Sequence, residues 1–434
     1  MGPELLGGLS FVVLFGLIFL GMPIGVALGL VGFVGMGLLA GWSAAMGLFT
    51  TVPFSVTATY TYITIPLFIL MGCFAFHSGV VKEAFNAAFK WFGRVRGGLG
   101  MATIAACTGF AACTGLSAVS VSLFALTTLP EMERRNYSQS LATGVIAAGT
   151  TLGILIPPSI PLITYAILSD ASIGALFMAG IVPGLMLAAL FMIVVLVWAR
   201  LQPTAAPAGL RSSWWEKLLS LKGVWAMLAL MSVVMGGIWG GVFTPVEAGG
   251  IGAFGALIIG LVKRNVGWRA IRDSLLDTAR MSGMMFVLLI GVMMFNHFFI
   301  LTRLPAVIAE GIVNLSIPPV AILILMIICW LVGGCFVDTF GLMMLTLPVF
   351  IPIARGIGID LITFGILHVI CIEIGAISPP IGINLFMMSG VAKHVPMNRI
   401  MRGVIPFVLI MLFALGIFVA FPELVMWLPG LMRH

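Results

Sequence analysis

Two adjacent prolines inside an apolar run set the strongest limit on how this chain can fold. Ile372–Ser389 reads I-E-I-G-A-I-S-P-P-I-G-I-N-L-F-M-M-S, apolar except around Glu373, Ser378 and Asn384. A tandem proline cannot continue an α-helix, because two N–H donors are missing and the residue before each ring is pushed out of the helical region. Backbone broken at membrane depth is tolerated only where it is buried in protein or lines a polar cavity. The stretch therefore predicts a discontinuous helix whose loose carbonyls and polar side chains face a binding site.

The same device occurs earlier, in G-T-T-L-G-I-L-I-P-P-S-I-P at Gly149–Pro161. Pro157 and Pro158 lie 222 positions before Pro379 and Pro380. The same shift, without a gap, carries Pro23 onto Pro245, Pro130 onto Pro352, Gly153 onto Gly375, Cys107 onto Cys329 and Cys113 onto Cys335. Chance overlay of the prolines should give on the order of one match, so the chain reads as a duplicated unit.

Apolar runs recur along the whole length, and only 8% of the residues are charged where a soluble domain has about a quarter. The chain is thus predicted to be an all-α polytopic membrane protein. The first copy spans 1–199, with a re-entrant hairpin at 99–131 and a broken helix at 138–169. A cytoplasmic linker at 200–222 carries W-W-E-K-L-L, read as a short interfacial helix with aromatic anchors. The second copy spans 223–434, with a hairpin at 319–354 and a broken helix at 361–392. Other spans are expected at Leu5–Leu20, Pro23–Gly41, Val52–Phe76, Ser172–Trp198, Val224–Gly241, Pro245–Val262, Ser282–Leu301 and Gly403–Phe421. The N-terminal run lacks a basic leader and an A-x-A site, so it is read as a retained helix and not a signal peptide.

Charge tests this plan. If 77–98, 131–137, 200–222, 263–280 and 393–402 face the cytoplasm, all of the 21 lysines and arginines except Arg303, Arg355 and Arg433 lie inside. Both termini are then periplasmic. Each copy crosses an odd number of times, so the copies are inverted, a transporter architecture. Positive charge of this kind needs no nucleic acid to explain it. The six cysteines show no metal spacing and read as small buried residues.

Ionisable groups within apolar segments are Glu247, His297, Asp338, His368 and Glu373. Asp338 follows Gly333-Gly334 at a hairpin tip, beside Thr339. A carboxylate, a hydroxyl and exposed carbonyls suit a hard cation, and the same aspartate could cap the second arm. The first tip offers Ser117, Ser120 and backbone. Glu373 serves either a site or a structural hydrogen bond. Glu247 reads as a charge on a helix N-terminus, and the two histidines as packing residues with one hydrogen bond each. There is no H-E-x-x-H, P-loop or G-x-S-x-G, so an enzyme is not expected and uphill transport would need an ion gradient or a partner.

Several stretches resemble one family. G-G-L-G-M-A-T at Gly97–Thr103, G-L-S-A at Gly115–Ala118, L-P-E-M at Leu129–Met132 and T-L-G-I-L-I-P-P-S-I at Thr151–Ile160 are similar to the large membrane subunit of tripartite ATP-independent periplasmic (TRAP) transporters. So are T-P-V-E-A at Thr244–Ala248 and I-S-P-P-I-G-I-N-L-F at Ile377–Phe386. The chain departs from the family's usual first tip, with Leu116 and Ser120 in place of a serine and a threonine. The resemblance implies a sodium-coupled elevator in the bacterial inner membrane. It would import small organic acids, chiefly carboxylates, with a periplasmic substrate-binding protein and a small four-helix membrane subunit as partners. By that resemblance sodium sits between each tip and its broken helix. The contacts would be Gly115, Ser117, Ser120, Gly149, Thr151 and Gly153 at the first site, and Gly334, Asp338, Thr339, Gly375 and Ser378 at the second, with Glu373 nearby. The half-helix N-termini after Pro157 and Pro379 would offer N–H groups to a carboxylate, which makes Ser117, Pro158, Ser159, Pro380 and Asn384 the candidate substrate contacts. The rival readings are a stand-alone sodium- or proton-coupled carboxylate transporter, an ion channel lined by the hairpins, and an intramembrane enzyme with Asp338 and Glu373 as acid and base.

Overall fold

The structure is a computed structural model. It describes the backbone of residues 2–114, 117–207, 213–314 and 317–432, and their side chains except at 81–82, 111–114, 117–119, 309 and 312–314. The first eleven helices are α1 Pro3–Phe19, α2 Ile24–Ala40, α3 Trp42–Ala58, α4 Thr64–His77, α5 Val80–Phe92, α6 Gly98–Thr114, α7 Ser117–Thr127, α8 Leu129–Arg134, α9 Gln139–Leu155, α10 Ile160–Ser169 and α11 Ile173–Leu201. The rest are α12 Trp214–Trp239, α13 Pro245–Val262, α14 Trp268–Leu301, α15 Leu304–Asn314, α16 Pro319–Gly334, α17 Thr339–Gly356, α18 Leu361–Ala376, α19 Ile383–Val391, α20 Met397–Ala420 and α21 Glu423–Met426.

Helix boundaries follow local chemistry. Proline sits in the first turn of α1, α13 and α16, where its missing N–H costs nothing. Ser138, Ser159, Ser172 and Asp360 cap α9, α10, α11 and α18 through their side chains. The tandem prolines fall in the two interruptions, α9–α10 and α18–α19, and both Pro–Pro bonds are cis. The α9–α10 pair bends by 42° at its break.

Contacts are exchanged reciprocally between the halves. α2 packs along α14, and α13 along α4. The α2–α14 seam is backbone-tight: a Cβ on Gly32 would fall 2.6 Å from the Met294 carbonyl carbon. α10 touches α17 and α18, while α19 touches α7 and α9. At the ends of these short helices Arg355 Nη2 donates to the Ser169 carbonyl (2.9 Å), and His394 Nε2 meets Glu133 Oε1 (2.6 Å). Arg355 lies 222 positions on from Glu133, so equivalent places in the two halves make the reciprocal contact.

The first helical hairpin closes on itself. Leu99 N–H at its start donates to the Tyr137 hydroxyl past its end (3.2 Å), which donates on to the Pro207 carbonyl (3.4 Å). Burial pushes the Tyr137 hydroxyl pKa up, which keeps that proton in place. α5 ties the hairpin to the helices around it. It packs on both α6 and α12, Lys263 pairs with Glu83, and Trp91 Nε1 donates to the Lys217 carbonyl (3.3 Å).

Three sequence expectations need correction. The span expected at Val52–Phe76 is two helices, α3 and α4, parted at Thr59 and a 3-10 turn at Tyr60–Ile63. α3 instead begins at Trp42 and carries Pro53 within it. The charged stretch 263–280 does not stand apart from Ser282–Leu301, because from Trp268 it forms one 34-residue helix with it. The short interfacial helix of W-W-E-K-L-L is the opening of α12, which runs on unbroken for 26 residues. Its Ser213–Glu216 capping box fixes the start, and Gly223 alone, at about 1 kcal/mol, is too weak a breaker to end it.

Candidate functional site

The second tip and the second break are built against each other. α16 ends at Gly334, where a Cβ would lie 3.0 Å from Gly375 Cα; a Cβ on Gly375 would lie 2.6 Å from Gly334 Cα. Only glycine at both positions lets the two backbones meet. The tip then holds the break by two more contacts. Gly382 N–H donates to the Cys335 carbonyl (3.1 Å), and Cys335 Sγ lies 3.6 Å from the Pro379 carbonyl. Gly382 has φ +55°, which favours glycine there too. Sequence reasoning passed over both residues. The Cys113–Cys335 match in the repeat was the available signal for one of them.

Asp338 caps α17. Its Oδ2 accepts from Phe340 N–H and Gly341 N–H, both at 3.1 Å, while Oδ1 makes no hydrogen bond among the described residues. The side chain is exposed. The next residue, Thr339, donates from Oγ1 to Glu373 Oε1 (3.3 Å), and Glu373 is buried one turn before the break on α18. Tip and broken helix thus share a hydrogen bond as well as a glycine contact. Ser378 turns inward on its own helix, donating to the Ile374 carbonyl (2.6 Å). The structure therefore brings together Gly334, Thr339, Glu373 and Gly375, with Asp338 at the mouth and Ser378 across the break.

The first site is described less fully. Gly115 and the side chain of Ser117 lie outside the described residues. Ser120 and Gly153 are buried. Gly149 packs against Cys107, whose Sγ would be 3.1 Å from a Cβ placed there. Thr151 donates to the Ala148 carbonyl (2.7 Å) on its own helix. Pro158 and Ser159 are buried, and Ser159 both donates to the Ile154 carbonyl and accepts from Leu162 N–H.

On the second half-helix the pattern differs. α19 starts from Gly382 with no side-chain cap. Asn384, in its first turn, is 1% exposed, and its Nδ2 has no partner among the described residues. Pro380 is exposed beside it. Two N–H bonds of a buried amide left unmade cost about 1–3 kcal/mol.

The remaining ionisable groups have local roles. Glu247 closes a capping box with Thr244 at the start of α13. His297 Nδ1 bonds the Met293 carbonyl (2.7 Å). His368 differs from expectation: it is fully buried, and neither ring nitrogen has a partner among the described residues. Its neighbours are aromatic, with Trp330 edge-on at 4.5 Å, and the Tyr165 hydroxyl nearby is already given to the Leu361 carbonyl. Among the described residues no three His, Cys, Asp or Glu side chains gather as they would around a transition metal.

Seven described helices are long and apolar enough to cross a membrane, or up to eight if the bent α9–α10 pair is one span. With two interrupted helices among them, this is a multi-pass membrane protein of transporter build. The fold is similar to the solved Alcanivorax borkumensis YdaH transporter (TM-score 0.67, 15% identity, covering 98% of this chain and 100% of that one). A model of the tripartite ATP-independent periplasmic transporter, DctM component, matches residues 11–424, and the chain belongs to that family. It is 36% identical to a C4-dicarboxylate TRAP transporter large permease protein of Pseudomonas aeruginosa, over 87% of this chain and 88% of that one. It is 31% identical to the isethionate TRAP transporter permease protein DctMQ of Oleidesulfovibrio alaskensis, over 94% of this chain and 64% of that longer one. These relatives are permease subunits, not enzymes.

Proposed function

We propose that the chain is the transport subunit of a sodium-coupled importer of small organic acids in the bacterial inner membrane. It works with a small membrane subunit and takes its substrate from a periplasmic binding protein. Its two halves are inverted copies, residues 1–199 and 223–434 about the 200–222 linker, with hairpins entering from opposite faces and both termini periplasmic. The hairpins and broken helices move together as an elevator. The reciprocal α2–α14 and α13–α4 packing, with the Arg355–Ser169 and His394–Glu133 contacts, supports the pseudo-two-fold this needs. The longer isethionate relative, named DctMQ, of which the match covers 64%, supports work with a second membrane part.

The observation that carries the reading is the second tip. There Asp338, with one carboxylate oxygen unbonded among the described residues, and Thr339, bonded to Glu373, follow the tip whose Gly334 meets Gly375 of the broken helix. Oxygen donors of this kind fit a hard monovalent cation. Sodium bound there would hold the tip against the break and fix the start of α19. That helix's uncapped N–H groups and the Asn384 amide would then receive the substrate's anionic oxygen. The first site would hold its sodium between Gly115, Ser117, Ser120 and the α9 segment at Gly149, Thr151 and Gly153.

The test is uptake into liposomes holding the chain and its small subunit, with the binding protein and a labelled C4-dicarboxylate outside. Uptake should need an inward sodium gradient. Uptake indifferent to sodium rejects the coupling, and uptake unchanged without the binding protein turns the reading to a stand-alone transporter.

A further inference from the structure

Away from both breaks, the first hairpin and α5 enclose a cavity of about 700 Å³, within the ~300–1,000 Å³ range of small-ligand sites. The sequence builds it from two helical spacings. Phe85 and Phe89 stand four apart on α5 and form one wall; Leu123 and Phe124 near the end of α7 form the other. Glu131 and Arg135, also four apart, are the charged residues of the lining among the described side chains. Arg135 Nε donates to Glu131 Oε1 (2.8 Å), and the guanidinium sits 4.5 Å over the Phe89 ring. Among the described residues both Arg135 Nη groups and Glu131 Oε2 have no hydrogen-bond partner. The cavity lies where the hairpin's two ends meet, next to Leu99, and positive-inside topology puts that level at the cytoplasmic leaflet.

We infer that this cavity binds a phospholipid with a zwitterionic, primary-ammonium headgroup, of the phosphatidylethanolamine type. The two Arg135 Nη groups present the fork that phosphate accepts. The free Glu131 oxygen lies on the same side chain pair and takes an N–H from the ammonium. The two described charges of the lining, one of each sign on one salt-bridged pair, match the phosphate and ammonium of a zwitterion. The aromatic and leucine walls receive an acyl chain. Phosphatidylcholine shares the charges but has no N–H to give Glu131. The site joins α5 to the hairpin and does not depend on the sodium-coupled reading.

The test uses the full chain in mild detergent, equilibrated with equal amounts of phosphatidylethanolamine, phosphatidylglycerol and phosphatidylcholine. Retained lipid is quantified by mass spectrometry. Wild type should retain phosphatidylethanolamine about tenfold over either competitor, as the one charge-assisted hydrogen bond from its ammonium to Glu131 allows. Glu131→Gln should bring the ratio to within about twofold of parity, while Arg135→Gln, which removes the phosphate contact the three lipids share, should lower the retention of all three. Leu123→Trp, which fills the cavity with an apolar side chain, should lower retained phosphatidylethanolamine while the protein stays monodisperse. Equal retention of the three lipids by wild type, enrichment of phosphatidylglycerol, or an unchanged ratio in Glu131→Gln overturns the inference. If Arg135→Gln does not stay monodisperse, Glu131→Gln and Leu123→Trp decide it alone.

Discussion

The two helix breaks begin from the same proline pair and finish differently. The first occupies the residues between Leu155 and Ile160 and is buried throughout. Ser159 caps the helix that follows it, so that helix's first N–H groups are already engaged. α11 lies directly over it: a Cβ on Gly180 would be 2.3 Å from the Leu155 carbonyl oxygen, and one on Gly184 would be 2.5 Å from Ile156 Cγ1. At the equivalent places of α20 stand Arg402 and Pro406, which offer no such notch. The second break runs from Ile377 to Gly382, is exposed at Pro380 and Ile381, and leads into an uncapped helix with an unpartnered amide. One copy seals its interruption and the other leaves it open. The same proline pair thus stands in two settings, and residues at a few flanking positions make the difference.

The largest effects should come from glycines at the two seals, because backbone there cannot move aside. Gly375→Val would set a side chain against the Gly334 backbone, and Gly180→Val against the Leu155 carbonyl. Each should cost about 3 kcal/mol, the upper end for overpacking, read as loss of thermal stability in purified protein. Gly375→Val should abolish sodium-driven uptake as well. If Gly180→Val is tolerated, the first break is not held shut by α11 and the contrast between the breaks fails.

Next in size is Asp338. Replacement by alanine removes the acceptor of two N–H groups and should cost about 1 kcal/mol of stability. Asparagine keeps the cap and loses the charge. It should leave stability within about 0.5 kcal/mol of wild type yet raise the sodium needed for half-maximal uptake about tenfold, since an asparagine is nearly as good a cap and a poor partner for a cation. An Asp338→Asn protein with unchanged sodium response assigns this residue to the cap alone.

A sharper comparison sets Ser159 against Asn384. Ser159→Ala removes a cap and should lower stability by about 1 kcal/mol with little change in substrate KM. Asn384→Leu, close in volume, removes an unsatisfied buried amide. It should leave stability equal or higher while raising KM about tenfold, the loss of one hydrogen bond to a charged acceptor. The reverse pattern would place the substrate at the first half-helix.

The sequence made much of this legible. Proline pairs and the 222-residue spacing located both breaks, because proline acts on the backbone locally and needs no tertiary context. Asp338 and Glu373 stood out because charge is rare against an apolar background, and Gly375 because the 222-residue shift sets it on Gly153. The sealing of the first break was not legible. It depends on Gly180 and Gly184 approaching from a helix whose neighbours are chosen only in three dimensions, and glycine pairs are common in such helices. The junction of α3 and α4 was missed for a related reason: Thr59 and Tyr60 carry no breaker, while Pro53, which does, sits inside α3. His368 was expected to find one hydrogen bond; the aromatic rings against it come from α10 and α16, and no local pattern announces them.

The smallest predicted effect tests how the open break is latched. Thr339 Oγ1 and Glu373 Oε1 form a side-chain hydrogen bond between the second tip and its broken helix, at 3.3 Å and half-buried. Such a bond contributes about 1 kcal/mol net, less at this length. Thr339→Val keeps the shape and the β-branch and removes only the donor. If Thr339 merely fastens the tip, valine should lower stability by up to about 1 kcal/mol, and adding sodium should restore none of it. If the hydroxyl is also a cation contact, sodium should stabilise wild type more than the variant, and half-saturation should rise about threefold, while Thr339→Ser should behave as wild type in both respects. Equal stabilisation of wild type and valine by sodium would leave the latch in place and take Thr339 out of the ion site.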